Sequence, residues 1–197
     1  MKLFWAPQTR SQRAIWMLEE AGVDYEMERI ELSSPDRADS AEFLAASPMG
    51  KVPAIVDGDV LMSESAAICI YVADRYATGT LAPAADDAQR GKFLYWTMYT
   101  PAVVEPAMSE KFNNVEGNRY RSGWGDFDLM IETWDSALEG KHWVLGDQFT
   151  AADVMLGSSA IFLRMFNMLP ESKNLDAYAD RCLARPANQR ALEKGTE

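Results

Sequence analysis

The stretch Gly50–Tyr76, GKVPAIVDGDVLMSESAAICIYVADRY, decides how this chain folds. Its short apolar segment 52–56 ends at Asp57-Gly58, a dipeptide typical of a tight hairpin turn. A second short apolar segment, 60–62, follows that turn. The run that begins at Ser63-Glu64-Ser65 then repeats its apolar residues with helical spacing. The sequence therefore predicts a strand, a turn, a strand and the start of a helix in close succession.

Two features of this stretch suit a ligand. Pro53 begins a strand, and a cis bond before it would turn the Val52 backbone toward an open edge that can pair with an extended molecule. Glu64 and Ser65 lie at a helix N-terminus, where free N–H groups and the helix dipole attract a carboxylate. The serine can donate to that carboxylate while Glu64 accepts from an ammonium, so the pair suits an α-amino acid head group. The alternative is that Ser63 or Ser65 only caps the helix.

The same residues resemble the N-terminal domain of cytosolic, bacterial-type glutathione S-transferases. The shared features are Gly-Lys-Val-Pro-Ala, a short hairpin and then Glu-Ser-x-Ala-Ile-x-x-Tyr. In that family the Val-Pro bond is cis, the Val backbone pairs with the cysteinyl part of glutathione, and the Glu-Ser pair holds the γ-glutamyl head group. The resemblance implies these roles for Val52, Pro53, Glu64 and Ser65. Lys51 could reach the glycyl carboxylate, although a solvated surface lysine is an equal alternative.

The elements before this stretch complete a domain. The segment 2–5 is strand-like, and a helix that Gly22 ends follows it. A strand is expected within 25–32 and a short helix within 39–46. The order β-α-β-α-β-β-α predicts a thioredoxin-like domain over residues 1–77, an α/β fold with a mixed four-stranded sheet and helices on both faces.

The remainder of the chain is helical in pattern. A linker rich in alanine, with a glycine and a proline, is expected over 78–87, and an all-α domain over 88–197. Pro101 and Pro106 should kink or interrupt its first helix. Thr150 and Asp153 have the spacing of a capping box before an almost wholly apolar helix. The glutathione transferases carry a similar box in their C-terminal domain, so the resemblance covers nearly the whole chain.

Composition excludes several classes of function. The chain has 197 residues and a formal net charge of −11, without a basic stripe, so we expect no nucleic-acid partner. No apolar run reaches the ~18 residues of a membrane span. One histidine and two distant cysteines, Cys69 and Cys182, argue against a metal site or a CxxC redox pair. The N-terminus shows no signal peptide, so a cytoplasmic location is expected.

Catalysis in this family requires a glutathione thiolate, whereas a free thiol has a pKa of about 8.5. The family carries its activating side chain just after the first strand, which here is segment 7–13, PQTRSQR, without tyrosine or cysteine. Aligning on Arg13-Ala14 puts Thr9 where theta-like members carry serine. Aligning on the first strand puts Arg10 where other members carry cysteine, and Arg10 could stabilise a thiolate by its charge or simply point to solvent. Ser11 could donate its hydroxyl or only cap the helix. We expect Thr9 to donate to the sulfur, with Ser11 or the backbone assisting.

The resemblance thus implies a transferase of the detoxification type that joins glutathione, its co-substrate, to a small hydrophobic electrophile. The electrophile is expected between the two halves, beside the helix of Tyr95 and Trp96 and the chain around Phe166. The family resemblance and the apolar helices from Gln89 and Asp126 indicate a homodimer. A glutathione-dependent disulfide reductase or peroxidase is one alternative. A binding protein without catalysis is the other, and the ligand clamp at Glu64 speaks against it.

Overall fold

The structure is a computed structural model that describes residues 1–33 and 39–196. The chain forms two compact units, one of Met1–Leu81 with Ala184–Glu197 and the other of Ala82–Leu183. The sequence-based division put all of 88–197 together. The structure instead places the last helix in the first unit, because that helix is held on the first helix of the chain by the ion pairs described below.

The first unit has the predicted thioredoxin-like order of elements. They are β1 Lys2–Trp5, α1 Ser11–Ala21, β2 Glu26–Arg29, α2 Ala41–Ala46, β3 Ala54–Asp57, β4 Val60–Ser63, α3 Ser65–Tyr76 and α9 Pro186–Lys194. In the described part of the chain, the four strands form one sheet in the order β2-β1-β3-β4. β1 is parallel to β2, whereas β3 is antiparallel to both β1 and β4. The predicted mixed sheet is therefore confirmed.

Burial of β1 explains why helices cover the sheet. Leu3, Phe4 and Trp5 point alternately to opposite faces and all three are buried. The ring of Phe4 packs against Phe43 of α2, with centroids 5.2 Å apart. The residues 14–18 of α1 are fully buried, and α1 contacts α3. The hydrophobic core of this unit thus fixes both the sheet and the start of α1.

Helix α9 is bound to α1 by carboxylates at the C-terminal end of α1. Arg185 donates to both oxygens of Glu20 at 2.5 and 2.7 Å, and the Glu20 side chain is only 6% exposed. Glu19 accepts from Arg190 at 2.7 Å and from Lys194 at 2.5 Å. Two-pronged arginine–carboxylate contacts of this kind are geometrically specific. They hold the chain terminus against the helix that opens at Ser11.

The second unit is helical, as expected. Its helices are α4 Arg90–Tyr99, α5 Glu105–Phe112, α6 Phe127–Ala137, α7 Ala151–Met165 and α8 Lys173–Leu183. A π-helical turn, Thr100–Val104, joins α4 to α5. Pro101 and Pro106 have no N–H to donate within the helix, and Glu105 N–H bonds to the Thr100 carbonyl five residues back. The prolines interrupt the helix as predicted.

The capping box forms at the start of α7. Asp153 is fully buried and accepts from the backbone N–H groups of Val144 and Thr150, both at 2.9 Å, and from the Tyr178 hydroxyl at 3.0 Å. Burial raises the pKa of Asp153 to about 6, against these stabilising hydrogen bonds. This network fixes the centre of the helical unit. In the described part of the chain, no helix is long and apolar enough to cross a membrane.

Candidate functional site

Strand register brings the predicted site residues to one end of the sheet. Ala54 pairs with Phe4 of β1 on one side and with Ser63 of β4 on the other. The chain therefore leaves β1, enters β3 and leaves β4 at the same end of the sheet, opposite the turn at Asp57-Gly58. The connection after β1, the Val52-Pro53 pair and the Glu64-Ser65 pair all lie at this end.

The Val52-Pro53 peptide bond is cis, as the sequence predicted. Pro53 is buried, and Val52 lies just before the paired segment of β3, which begins at Ala54. Gly50 has a φ of 61°, a left-handed conformation that suits glycine. Lys51 is exposed, and its N–H donates to the Ser47 hydroxyl at 2.9 Å. In the described part of the chain, the Lys51 ammonium has no partner.

Glu64 occupies the N-cap position of α3 with φ 73° and ψ 113°. This conformation is strained for any residue other than glycine, and such strain persists where the surroundings or a function require it. The Glu64 carbonyl accepts from Ile68 N–H at 2.9 Å, which begins the helix. The Glu64 side chain is exposed and makes no capping bond. Its carboxylate therefore projects from the site end of the sheet without a role in the helix.

The Ser65 hydroxyl is bound to a buried cation rather than used as a cap. Arg13 Nη1 donates to Ser65 Oγ at 3.4 Å, and the two residues are 7% and 8% exposed. Within the described residues this is the only hydrogen bond of the Ser65 hydroxyl, so its proton is available to an acceptor. A hydroxyl donor backed by a positive charge is an arrangement that stabilises a bound carboxylate.

The three candidate activators form a compact turn before α1. Thr9 Oγ1 lies 2.7 Å from the Ala6 carbonyl and 2.9 Å from Ser11 Oγ, and it accepts from Ser11 N–H at 3.1 Å. Ser11 is fully buried, and its hydroxyl accepts from Ala6 N–H at 3.3 Å. The N-cap position of α1 belongs to Arg10, whose side chain is exposed. Ser11 therefore braces this turn and does not cap the helix.

Accessibility separates the roles of these residues. Thr9 is half-buried, so its hydroxyl can meet a ligand, whereas Ser11 can act only through Thr9. The Thr9 hydroxyl has one proton, and the Ala6 carbonyl is its nearest acceptor. A sulfur anion must therefore compete with that carbonyl. Cys69 offers no alternative thiolate, because burial raises its pKa to about 12 despite the nearby Arg13 charge.

Sequence reasoning missed the contact between Arg13 and Ser65. It used Arg13 to align segment 7–13 with the family. The two residues are 52 positions apart, and their contact depends on α1 lying beside α3. Helical spacing could have shown that Arg13 lies on the same buried stripe as Trp16 and Met17. In the described residues, no cluster of histidine, cysteine or carboxylate side chains could hold a metal ion.

Comparison with known proteins gives the same family in both units. Residues 9–75 match the family described as glutathione S-transferase, N-terminal domain, and residues 102–181 match glutathione S-transferase, C-terminal domain. Glutathione S-transferase GstA of Escherichia coli O157:H7 is 26% identical over 195 residues, which cover 98% of this chain and 97% of that protein.

Solved structures agree with this comparison. BphK, a bacterial glutathione transferase solved as a ternary complex, superimposes with a TM-score of 0.82 at 26% identity over the full length of both chains. A theta-class enzyme from Xanthomonas axonopodis pv. citri, solved with glutathione bound, gives a TM-score of 0.76 at 27% identity. That similarity covers 97% of this chain and 96% of the other.

Proposed function

The chain belongs to the glutathione S-transferase family, and on that premise we propose that it conjugates glutathione to a small hydrophobic electrophile. One observation carries the proposal: the Ser65 hydroxyl, held by buried Arg13, lies with Glu64 at the same end of the sheet as the cis Val52-Pro53 bond. These groups match the head group and the extended backbone of glutathione. A scaffold without a ligand has no need of them.

The proposed binding mode uses each group for one part of glutathione. Ser65 donates to the γ-glutamyl carboxylate, and Glu64 accepts from the ammonium of the same head group. The Val52 backbone pairs with the cysteinyl unit, which Pro53 leaves free to approach by turning the chain. Lys51, exposed and without a partner in the described residues, meets the glycyl carboxylate.

At the sulfur, we propose that the Thr9 hydroxyl redirects its hydrogen bond from the Ala6 carbonyl to the thiolate and keeps its proton. Ser11 keeps Thr9 in position through the N–H bond at 3.1 Å. Arg10 adds positive charge near the anion and favours the thiolate form. The reaction then forms a sulfur–carbon bond with the electrophile as its leaving group departs or its double bond takes up the electrons.

The helical unit offers an aromatic surface for the electrophile. The rings of Phe162 and Phe166 lie 4.5 Å apart, and Phe112 contacts Phe166 at 6.1 Å. All three are between 41% and 63% exposed. Exposed aromatic clusters bind apolar, flat molecules well. We propose that this cluster contacts the electrophile, so Phe166→Ala should raise the KM of an aromatic electrophile severalfold and leave the glutathione Kd unchanged.

We further propose a homodimer and a cytoplasmic location, as the sequence predicted. The dimer is supported by exposed apolar side chains on one face of α4, namely Leu94, Tyr95 and Met98. Exposing such an apolar face to water is unfavourable, and contact with a second copy of the chain would bury it. A monomer mass by light scattering across micromolar concentrations would refute the dimer.

The experiment that tests the function compares wild type with Ser65→Ala and Glu64→Gln. Calorimetric titration with glutathione is followed by a conjugation assay with chlorodinitrobenzene and by an assay of disulfide reduction. We expect tenfold or weaker binding in Ser65→Ala and conjugation by wild type. Unchanged affinity in both variants would refute the site. Disulfide reduction without conjugation would support the reductase, and binding without either reaction would support the non-catalytic protein.

A further inference from the structure

A small cavity in the helical unit lies between the C-terminal end of α6 and one face of α8. Its volume is about 200 Å³. It is lined by Gly140, Lys141, His142, Lys173, Asn174 and Arg181 and by the apolar Leu138 and Ala177. Among the described residues no acidic side chain lines this cavity, although the chain carries 30 aspartates and glutamates against 19 lysines and arginines. The cavity is therefore basic although the chain as a whole is acidic.

The helical spacing of α8 gathers part of this charge. Residues 173, 177 and 181 follow one another at intervals of four and share one face of the helix. Lys173 and Arg181 therefore flank Ala177, whose small side chain leaves room between the two cations. Lys141 approaches from the chain that leaves α6, just after Gly140, whose φ of 68° makes the sharp turn.

Within residues 1–33 and 39–196, these cations have no carboxylate partner. Lys173 forms no hydrogen bond or ion pair with any residue that the structure describes. Lys141 donates to the Ala137 carbonyl at 2.8 Å and keeps its charge and two further N–H groups. Arg181 donates only its Nε–H, to the His142 carbonyl at 3.1 Å, and lies 5.8 Å from the Trp143 ring. The guanidinium is thus held in position while its remaining N–H groups stay available among the described residues.

The nearby carboxylates make contacts of their own and do not bind the cavity cations. Arg164 of α7 binds Asp180 at 2.7 Å and Asp176 at 3.3 Å. Asp135 of α6 accepts from the Ser172 hydroxyl and from the Asn174 amide. Asp135, which contacts the lining residue Asn174, offsets part of the charge of Lys141, Lys173 and Arg181, and the positive charge that remains would attract an anion.

We propose that this cavity is a binding site for a phosphate group, either inorganic phosphate or the phosphate of a small monoester. Arginine guanidinium and lysine ammonium groups are the side chains that proteins use to bind phosphate oxygens, and the pairing would be charge-assisted. The cavity is smaller than the ~300 Å³ at which sites for drug-sized ligands begin, so it suits one compact oxyanion. This site uses residues of the helical unit that take no part in the proposed binding of glutathione.

The test is calorimetric titration of the full-length protein with inorganic phosphate, at low ionic strength and against a chloride titration of matched ionic strength. We compare wild type, Lys173→Gln, Lys141→Gln and the control Lys92→Gln, which removes the same charge from an exposed site on α4. Backbone NMR shifts locate the bound anion. Glycerol 3-phosphate and vesicles containing phosphatidic acid form two further arms, which distinguish a soluble phosphate from a lipid head group.

We expect saturable binding at one site, with shifts centred on Gly140 and Lys141. The Kd should rise about fivefold in Lys173→Gln and in Lys141→Gln and stay unchanged in Lys92→Gln. Conjugation of glutathione should be unaffected in all three variants. Equal effects of chloride and phosphate would overturn the proposal, as would shifts elsewhere, equal weakening in Lys92→Gln, or binding to vesicles alone.

Discussion

Replacing Arg13 by glutamine should weaken glutathione binding although Arg13 need not touch the ligand. Arg13 donates to Ser65 Oγ at 3.4 Å, and Ser65 is proposed to donate to the γ-glutamyl carboxylate. Adding an ordinary hydrogen bond to that distance puts the guanidinium about 6 Å from the carboxylate. Two unit charges at that separation interact by about 3 kcal/mol at an effective dielectric constant of about 20.

The expected loss is smaller than this Coulomb energy. A glutamine at position 13 keeps amide N–H groups that can donate to Ser65, so part of the arrangement survives the substitution. We therefore expect Arg13→Gln to cost about 1.5–2.5 kcal/mol, a glutathione Kd some 10- to 70-fold weaker. Ser65→Ala removes a hydrogen bond to a charged acceptor and should cost about 1.5–3 kcal/mol.

The measurement is a double-mutant cycle by calorimetry, with S-methylglutathione so that thiol ionisation does not contribute. Because Arg13 orients Ser65, the double variant should lose about 1 kcal/mol less than the two single losses together. Arg13→Lys retains the charge and should recover part of the affinity. Arg121→Gln, an exposed change in the helical unit, is the control, and melting temperatures show which variants fold. Wild-type affinity in a folded Arg13→Gln variant, or strict additivity, would refute the reasoning.

Three further predictions concern other residues. Thr9→Val should raise the pKa of the bound thiol by about one unit, because the competing Ala6 carbonyl offsets part of the hydrogen bond to the sulfur. The measurement is the absorbance of the thiolate as a function of pH. An unchanged midpoint would leave activation to Arg10 or the backbone. The raised pKa of Asp153 means that its contribution to stability is present below about pH 4 and is lost as the pH rises through about 6. The unfolding free energy of wild type relative to Asp153→Asn should therefore fall by about 3 kcal/mol from pH 3.5 to 7.5 in urea titrations, and a rise would contradict the assignment. Arg185→Gln should destabilise the protein by about 2–4 kcal/mol in the same titrations, since it leaves the Glu20 carboxylate buried without its cation, and a loss below 0.5 kcal/mol would show that the pair is dispensable.

Local patterns predicted the fold of the first unit well because each element begins and ends on strong signals. Asp57-Gly58 makes the hairpin, Gly22 ends α1 in a left-handed conformation, and the cis bond lies at Val52-Pro53. Strand ends differ by up to three residues, since pairing rather than composition decides where a ladder stops. β3 begins at Ala54 instead of Val52 because the two residues before it turn away at the cis bond.

Helix α9 shows what such patterns leave out. Its sequence shows a helix with one apolar face, and a helix after other helices is expected to pack among them. The side of the molecule that it joins is set by Glu19 and Glu20, which lie more than 160 positions earlier and bind Arg190 and Arg185. Nothing in the spacing of α9 itself identifies those partners.

The candidate site also has parts that local sequence predicts and parts that it does not. The ligand clamp was predicted because Val52-Pro53 and Glu64-Ser65 each lie within one short motif. For the activator, the sequence favoured Thr9 over Arg10 and Ser11, which are its neighbours and could also stabilise a thiolate. Their difference is one of burial: the turn puts Ser11 wholly inside, leaves Arg10 in solvent and holds Thr9 at the boundary. A side chain at such a boundary can bind a ligand on one side while the protein fixes it on the other, which is why we assign the donor role to Thr9.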